Sequence, residues 1–286
     1  MSAQPVNTGL PHFLCIGAQK AGTSWLWSML RQNPAIWMPP IKELHFFDHV
    51  FLPENRGWIE KGLAQQVKKL LAAECREAEG IDLECVRYLV TVGTEAPFTE
   101  HWYRGVFSHP DANEKILGEV TPAYCAIGAA GVAYLKQLLG RVKAIYLIRD
   151  PVDRALSQIR MTIQRSKTFD AAEPKAWERV ANSTAVHNRG NYAEYIPLWV
   201  DGLGKENVLF LPFGDIVRRP LALLRDVEKF LGCEEMRHYS GVNSKVHKTG
   251  NIEIPSSVVE RIEDTMKVQR QFLESYFGRD FVASTK

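Results

Sequence analysis

Gly17-Ala-Gln-Lys-Ala-Gly-Thr-Ser24 joins a short apolar run, Phe13–Ile16, to a segment, Thr23–Arg31, whose apolar residues recur at helical spacing. A strand, a glycine-bracketed loop and a helix in this order leave unpaired amides at the helix start. The helix dipole is positive there, so the passage forms an anion site. The interval from Gly17 to Gly22 equals that of a Walker A loop. In a Walker A loop the lysine directly follows the second glycine, beside a metal-ligating Ser or Thr. Here Lys20 lies inside the loop and Thr23 follows Gly22. The expectation is a site for a phosphate-like group that differs from an ordinary ATPase loop; the plain alternative is a turn with one solvated lysine.

A second candidate anion site begins where the apolar run Val142–Ile148 meets Arg149-Asp-Pro-Val-Asp-Arg-Ala-Leu-Ser157. Pro151 suits a first helical turn, where its missing N–H costs nothing. Arg149 then stands at a strand end and Ser157 about two turns along the next helix, so both can converge on one anion. The planar guanidinium fork suits a phosphate. A surface Arg–Asp turn is the plain alternative. A rival reading takes Asp150 as a Walker B acid.

The elements that position these residues alternate. Further strands are expected at Lys115–Val120 and Asn207–Leu211, with helices at about 129–139, 152–164, 192–202, 221–231 and 256–277. Such alternation implies a parallel sheet covered on both faces, with ligands beyond the carboxyl ends of its strands. At 286 residues the chain is long enough for one large α/β domain or two small ones. Its 45% hydrophobic and 24% charged content is ordinary for a soluble globular protein. The net charge of +2 gives no reason to expect nucleic acid or a membrane surface as partner. Cys15, Cys75, Cys85, Cys125 and Cys233 are scattered without a CxxC pair, so reduced thiols are expected, with no metal site. The first residues have neither a basic nor an apolar leader pattern, and no apolar run approaches bilayer length. A cytoplasmic protein is expected.

Gln19-Lys-Ala-Gly-Thr-Ser-Trp25 resembles the 5′-phosphosulfate loop of sulfotransferases that use 3′-phosphoadenosine 5′-phosphosulfate (PAPS), and Arg149 with Ser157 resembles their 3′-phosphate motif. His101–Phe107, Glu119-Val-Thr-Pro-Ala-Tyr124, Asn188–Trp199 and Asp226–Gly232 are similar to the carbohydrate-sulfotransferase branch that includes the heparan sulfate enzymes. The resemblance covers most of residues 12–282. It implies an α/β, P-loop-like three-layer fold with a central parallel sheet flanked by helices, and a bacterial enzyme lacking the membrane anchor of Golgi-type members. PAPS would be the co-substrate, with no metal. The acceptor would be a small molecule or carbohydrate; the oligomeric state is open. One domain over 1–286 is expected, with a helical insertion at about 49–99. In that insertion Leu63, Val67, Leu70 and Leu71 mark one face of an amphipathic helix over 61–76. An acceptor-side lid and a decoration of the sheet edge are equally open roles for it.

Residue by residue, the resemblance makes Lys20 the cation that follows charge onto the leaving phosphate, with Ala21, Gly22, Thr23 and Ser24 lining the donor loop. Trp25 takes the position of an adenine-stacking tryptophan, or else packs in the core. Tyr192 would line the nucleotide site, and Lys248, Thr249 and Gly250 would belong to a basic loop closing over the 3′-phosphate. In Lys42-Glu-Leu-His-Phe-Phe-Asp48, Glu43 becomes the base with His45 and Asp48 as its partners; His45 as base supported by Glu43 is the main rival. Val120 stands where related enzymes often carry Lys, which weighs against a highly sulfated acceptor. A nucleotide-dependent kinase and a non-catalytic nucleotide-binding module are the alternative functions.

Overall fold

A computed structural model describes residues 9–76, 80–244 and 252–286. Its five strands are β1 (Phe13–Gly17), β2 (Ile36–Trp37), β3 (Ile116–Val120), β4 (Lys143–Ile148) and β5 (Val208–Pro212). They form one parallel sheet in the order β2-β3-β1-β4-β5. All five residues of β1 are buried, as befits a central strand covered by helices on both faces.

Four of these strands and the five helices fall where the hydrophobic pattern puts them, within one or two residues. β2 escapes that pattern because two residues carry no period. It is fixed instead by its register, Ile36 to Ile116 and Trp37 to Leu117. Gly232, at φ 83, closes helix Pro220–Leu231, and its amide donates to the Glu228 carbonyl at 2.8 Å.

Residues 49–99 fold mainly into helices Arg56–Glu74 and Leu83–Thr94. Ile59, Leu63, Val67, Tyr88, Leu89 and Val92 from these helices join the same buried cluster as the sheet. Two hydrogen bonds fasten the second helix: the Tyr88 hydroxyl donates to the Val106 carbonyl at 2.7 Å, and the Trp102 indole donates to the Val92 carbonyl at 2.9 Å. A separate cluster, including Val152, Ile159, Trp177 and Ile262, packs helix Pro151–Arg165 against helix Ser256–Phe277. Among the described residues, no helix is long and apolar enough to cross a membrane.

Candidate functional site

Strand order becomes site order. At the carboxyl ends, the segment leading to Glu43 and His45 follows β2, Glu119 and Thr121 belong to the end of β3, the Gly17–Ser24 loop follows β1, and Arg149 follows β4. Parallel pairing brings neighbouring ends together: Thr121 donates its amide to the Cys15 carbonyl at 3.0 Å, and Ala18 donates to the Leu147 carbonyl at 2.9 Å.

The β1 loop is held in a conformation few residues tolerate. Gly22 has φ 89, a left-handed conformation that favours glycine, and a Cβ there would also push the end of the Ile216 side chain, whose Cδ1 would lie at 2.3 Å. Helix Thr23–Leu30 has no side-chain cap, which leaves its first amides available at the loop. Thr23 and Ala21 are buried, while Lys20 and Ser24 are half-buried. The Lys20 ammonium lies 3.7 Å from Met161 Sδ. Its pKa is lowered by burial and by repulsion from Arg149 and Arg165, against an opposing pull from Glu43. A lysine crowded by other cations is poised to take up an anion.

Arg149 ties the two anion motifs together. Its Nη1 donates to the Lys20 carbonyl at 2.9 Å, and its guanidinium lies 4.4 Å over the Phe213 ring. Its Nε is buried and has no partner among the described residues, a donor left for a ligand. Ser157 is buried on the helix that starts at Pro151. Tyr192 is fully buried and reaches the site through Arg149: its hydroxyl donates to the Arg149 carbonyl at 3.0 Å and accepts from the Arg149 amide at 3.3 Å. Trp25, only 4% exposed, donates its indole N–H to the Val242 carbonyl at 2.9 Å. It therefore anchors the chain just before residues 245–251, which include Lys248, Thr249 and Gly250 and lie outside the described residues.

Asp150 has a different duty from a Walker B acid. It is fully buried, accepts from the amides of Val152 and Asp153 as a helix cap, and takes a two-pronged hydrogen bond from Arg270 at 2.8 and 2.9 Å. Its oxygens are committed to capping and to that ion pair.

The third group is Glu43, His45 and Asp48. His45 Nδ1 donates to the fully buried Asp48 carboxylate at 2.9 Å, and its Nε2 faces Glu43 Oε2 at 3.5 Å. Glu43 also pairs with Lys42. Burial opposes the imidazolium, but its hydrogen bonds to Asp48 and Glu43 prevail and raise the His45 pKa to about 9. Burial likewise opposes the Glu43 carboxylate, yet Lys42 and His45 hold its pKa well below the usual range. At neutral pH the pair is therefore carboxylate and imidazolium.

Two supports of this group carry no obvious chemical signal in the sequence. Asn55 donates to Asp48 at 3.4 Å, and the Trp58 ring stands edge-on to His45 at 4.8 Å, both from the start of the insertion. Beneath, Glu119 is buried and accepts hydrogen bonds from Tyr103, Thr121 and Tyr124. The Tyr124 hydroxyl also accepts the Phe46 amide at 3.0 Å, next to His45. Burial raises the Glu119 pKa to about 7 despite these donors. One geometric signal does mark the site: of the five non-glycine residues with positive φ among those described, Lys20, Glu43 and His45 are three. Each such conformation costs about 1–3 kcal/mol, and such strain clusters at functional sites.

The chain is similar to several known proteins. A heparan sulfate glucosamine 3-O-sulfotransferase 3B1 from Mus musculus is 24% identical over 232 residues, covering 79% of this chain and 47% of that protein. A membrane-associated sulfotransferase, kil1, from Dictyostelium discoideum is 28% identical over 158 residues, covering 54% of this chain and 24% of that protein. The chain thus spans about half the length, or less, of these curated relatives. In fold it is similar to a sulfotransferase from Alicyclobacillus acidocaldarius, with a TM-score of 0.59 at 21% identity over 96% of this chain and 99% of the other. A profile described as the sulfotransferase family matches residues 11–237, more than half of the sequence, and the chain belongs to that family.

Proposed function

We propose that this protein transfers a sulfuryl group from PAPS to a hydroxyl of a carbohydrate, glycolipid or other alcohol, with Glu43 as the base. The observation that carries the reading is the meeting of Lys20, Arg149 and the Glu43–His45–Asp48 group at adjacent strand ends, with Lys20 electrostatically coupled to both Arg149 and Glu43.

PAPS would supply the activated sulfuryl group. The residues then divide the work. Arg149, through its unpartnered Nε, and Ser157 hold the 3′-phosphate; the amides and hydroxyls of Thr23 and Ser24 with Gly22 hold the 5′ end. Glu43 takes the acceptor proton as the acceptor oxygen bonds to sulfur. The bond from sulfur to the bridging phosphate oxygen breaks, and Lys20 stabilises the charge left on that phosphate. His45, an imidazolium backed by Asp48, keeps Glu43 ionised and aimed. With its pKa at about 9, His45 has no free lone pair at neutral pH, which favours Glu43 as base over the rival assignment.

The kinase alternative needs an acid free to serve a nucleotide-bound metal, and Asp150 is spent on its helix cap and Arg270. A non-catalytic module would have no use for the strained Glu43–His45 segment.

The test is ligand-dependent thermal stability without Mg²⁺. Adenosine 3′,5′-bisphosphate at about 100 times its Kd adds roughly 2.7 kcal/mol. AMP, lacking the 3′-phosphate, adds much less at equal concentration. Equal stabilisation by the two would remove the 3′-phosphate assignment. Incubation with PAPS and a panel of alcohols, read as the mass gain of one sulfuryl group, tests transfer itself.

A further inference from the structure

A cavity of about 410 Å³ opens between the Glu43–His45 segment and the inserted helix Arg56–Glu74. Its walls include Glu43, His45, Trp58, Gln66, Lys69 and Arg165. A volume of this order accommodates a small-molecule ligand. On the inserted helix, Ile59, Leu63 and Val67 join the core; Ile59 and Leu63 also reach the cavity, where Trp58, Gln66 and Lys69 complete the wall.

The charges in this cavity are unbalanced. Glu43 is already matched by Lys42 and by the His45 imidazolium. Lys69 and Arg165 are exposed and have no ion pair among the described residues. Arg165 stands close enough to Lys20 to lower its pKa, so it belongs to the neighbourhood of the reacting groups. Trp58 is 48% exposed, and its indole N–H is held by Asn55 Oδ1 at 3.3 Å. A fixed, half-open indole at one end of the cavity wall and two unmatched cations, Lys69 about three helical turns further along, offer a stacking surface and an anion clamp in one cavity.

We propose that the inserted helix is the acceptor-recognition wall, and that the acceptor is an elongated alcohol with an aromatic or sugar ring that packs on Trp58 and an anionic group about three helical turns further along, held by Lys69 and Arg165. This rests on the proposed sulfuryl transfer, since it takes the Glu43 side of the cavity as the place of the reacting hydroxyl. Of the two open roles of the insertion, it takes the acceptor side over a decoration of the sheet edge. The cations of this wall come from helices Arg56–Glu74 and Pro151–Arg165.

Binding separates this from the transfer reaction. The full chain is saturated with adenosine 3′,5′-bisphosphate and titrated with 4-nitrophenyl β-glucuronide or its neutral partner 4-nitrophenyl β-glucoside, with quenching of indole fluorescence as the readout. The glucuronide binds at least about tenfold more tightly, the size expected for a charge-assisted contact. The double variant Lys69→Gln, Arg165→Gln brings the two within about twofold while its affinity for the bisphosphate stays unchanged. Trp58→Ala weakens both glycosides and removes most of the quenching. Because Lys69, Arg165 and Trp58 are exposed, these variants keep the core intact. Equal binding of the two glycosides by the native chain, no binding of either, or a preference that survives the double variant would overturn the proposal. So would a double variant that loses bisphosphate affinity instead, because its cations would then serve the donor. Transfer from PAPS is scored separately, so a chain that prefers the glucuronide without sulfating any alcohol would fail the functional reading and keep the recognition wall.

Discussion

The two halves of this site, proposed to serve donor and acceptor, are built by different physical means. On the proposed donor side the frame is backbone, a glycine-bracketed loop and an uncapped helix start at the end of β1, to which the Arg149 side chain is added from the end of β4. On the acceptor side, side chains do the work. Glu43, His45 and Asp48 hold one another in a segment of positive φ, buttressed from below by Glu119 and Tyr124 and from the side by Asn55 and Trp58. A backbone site is tied to the sheet and keeps its form. A side-chain site depends on charges that titrate and neighbours that differ from one chain to the next.

That contrast is tested hardest at the base. Glu43→Gln keeps shape and bisphosphate affinity while turnover falls roughly 10²–10⁴-fold. His45→Ala falls less, and mainly through acceptor KM. A larger turnover loss for His45→Ala would move the base role to the imidazole.

Lys20→Ala comes next, with a turnover loss of roughly 10²–10³ as leaving-group stabilisation disappears. Bisphosphate affinity drops much less, because the amides and Arg149 remain. A near-native turnover would separate Lys20 from the chemistry and leave the donor side a binding site only.

The pH profile sharpens the comparison further. With His45 titrating at about 9 and needed as an imidazolium, activity falls above about pH 9. Were His45 the base, activity would instead rise through that pH, so the sign of the limb decides. Stability follows the same group. Its folded pKa lies above the ordinary histidine value of 6.5, so its contribution is full below about 6.5 and lost as pH rises through about 9. Thermal melts of native chain and His45→Asn across this window should converge at the alkaline end.

The smallest effect belongs to the buttress. The Glu119 pKa is raised to about 7 by burial, so its contribution to stability is full below about 4.5 and lost as pH rises through about 7. Glu119→Gln flattens that part of the stability profile. Because Tyr124 receives the Phe46 amide, the variant also shifts acceptor KM a few-fold. An unchanged KM would reduce Glu119 to a core residue.

The sequence determined the parts whose signal is local. A buried parallel strand reads as an apolar run, a loop that needs Gly22 shows the glycine, and a proline after Arg149-Asp150 announces a helix start; hence the fold and the donor loops were legible from one chain. Glu43, His45 and Asp48 were legible only through resemblance, because three polar residues near a loop have no period or spacing of their own. Tertiary structure decided everything that depends on meeting across the sheet. It committed Asp150 to Arg270, 120 residues away, turned Tyr192 into a clamp on the Arg149 backbone, and set Trp58 against His45. It also settled which ionised form each member of the Glu43–His45 pair takes, since that balance comes from burial and from partners no local pattern contains.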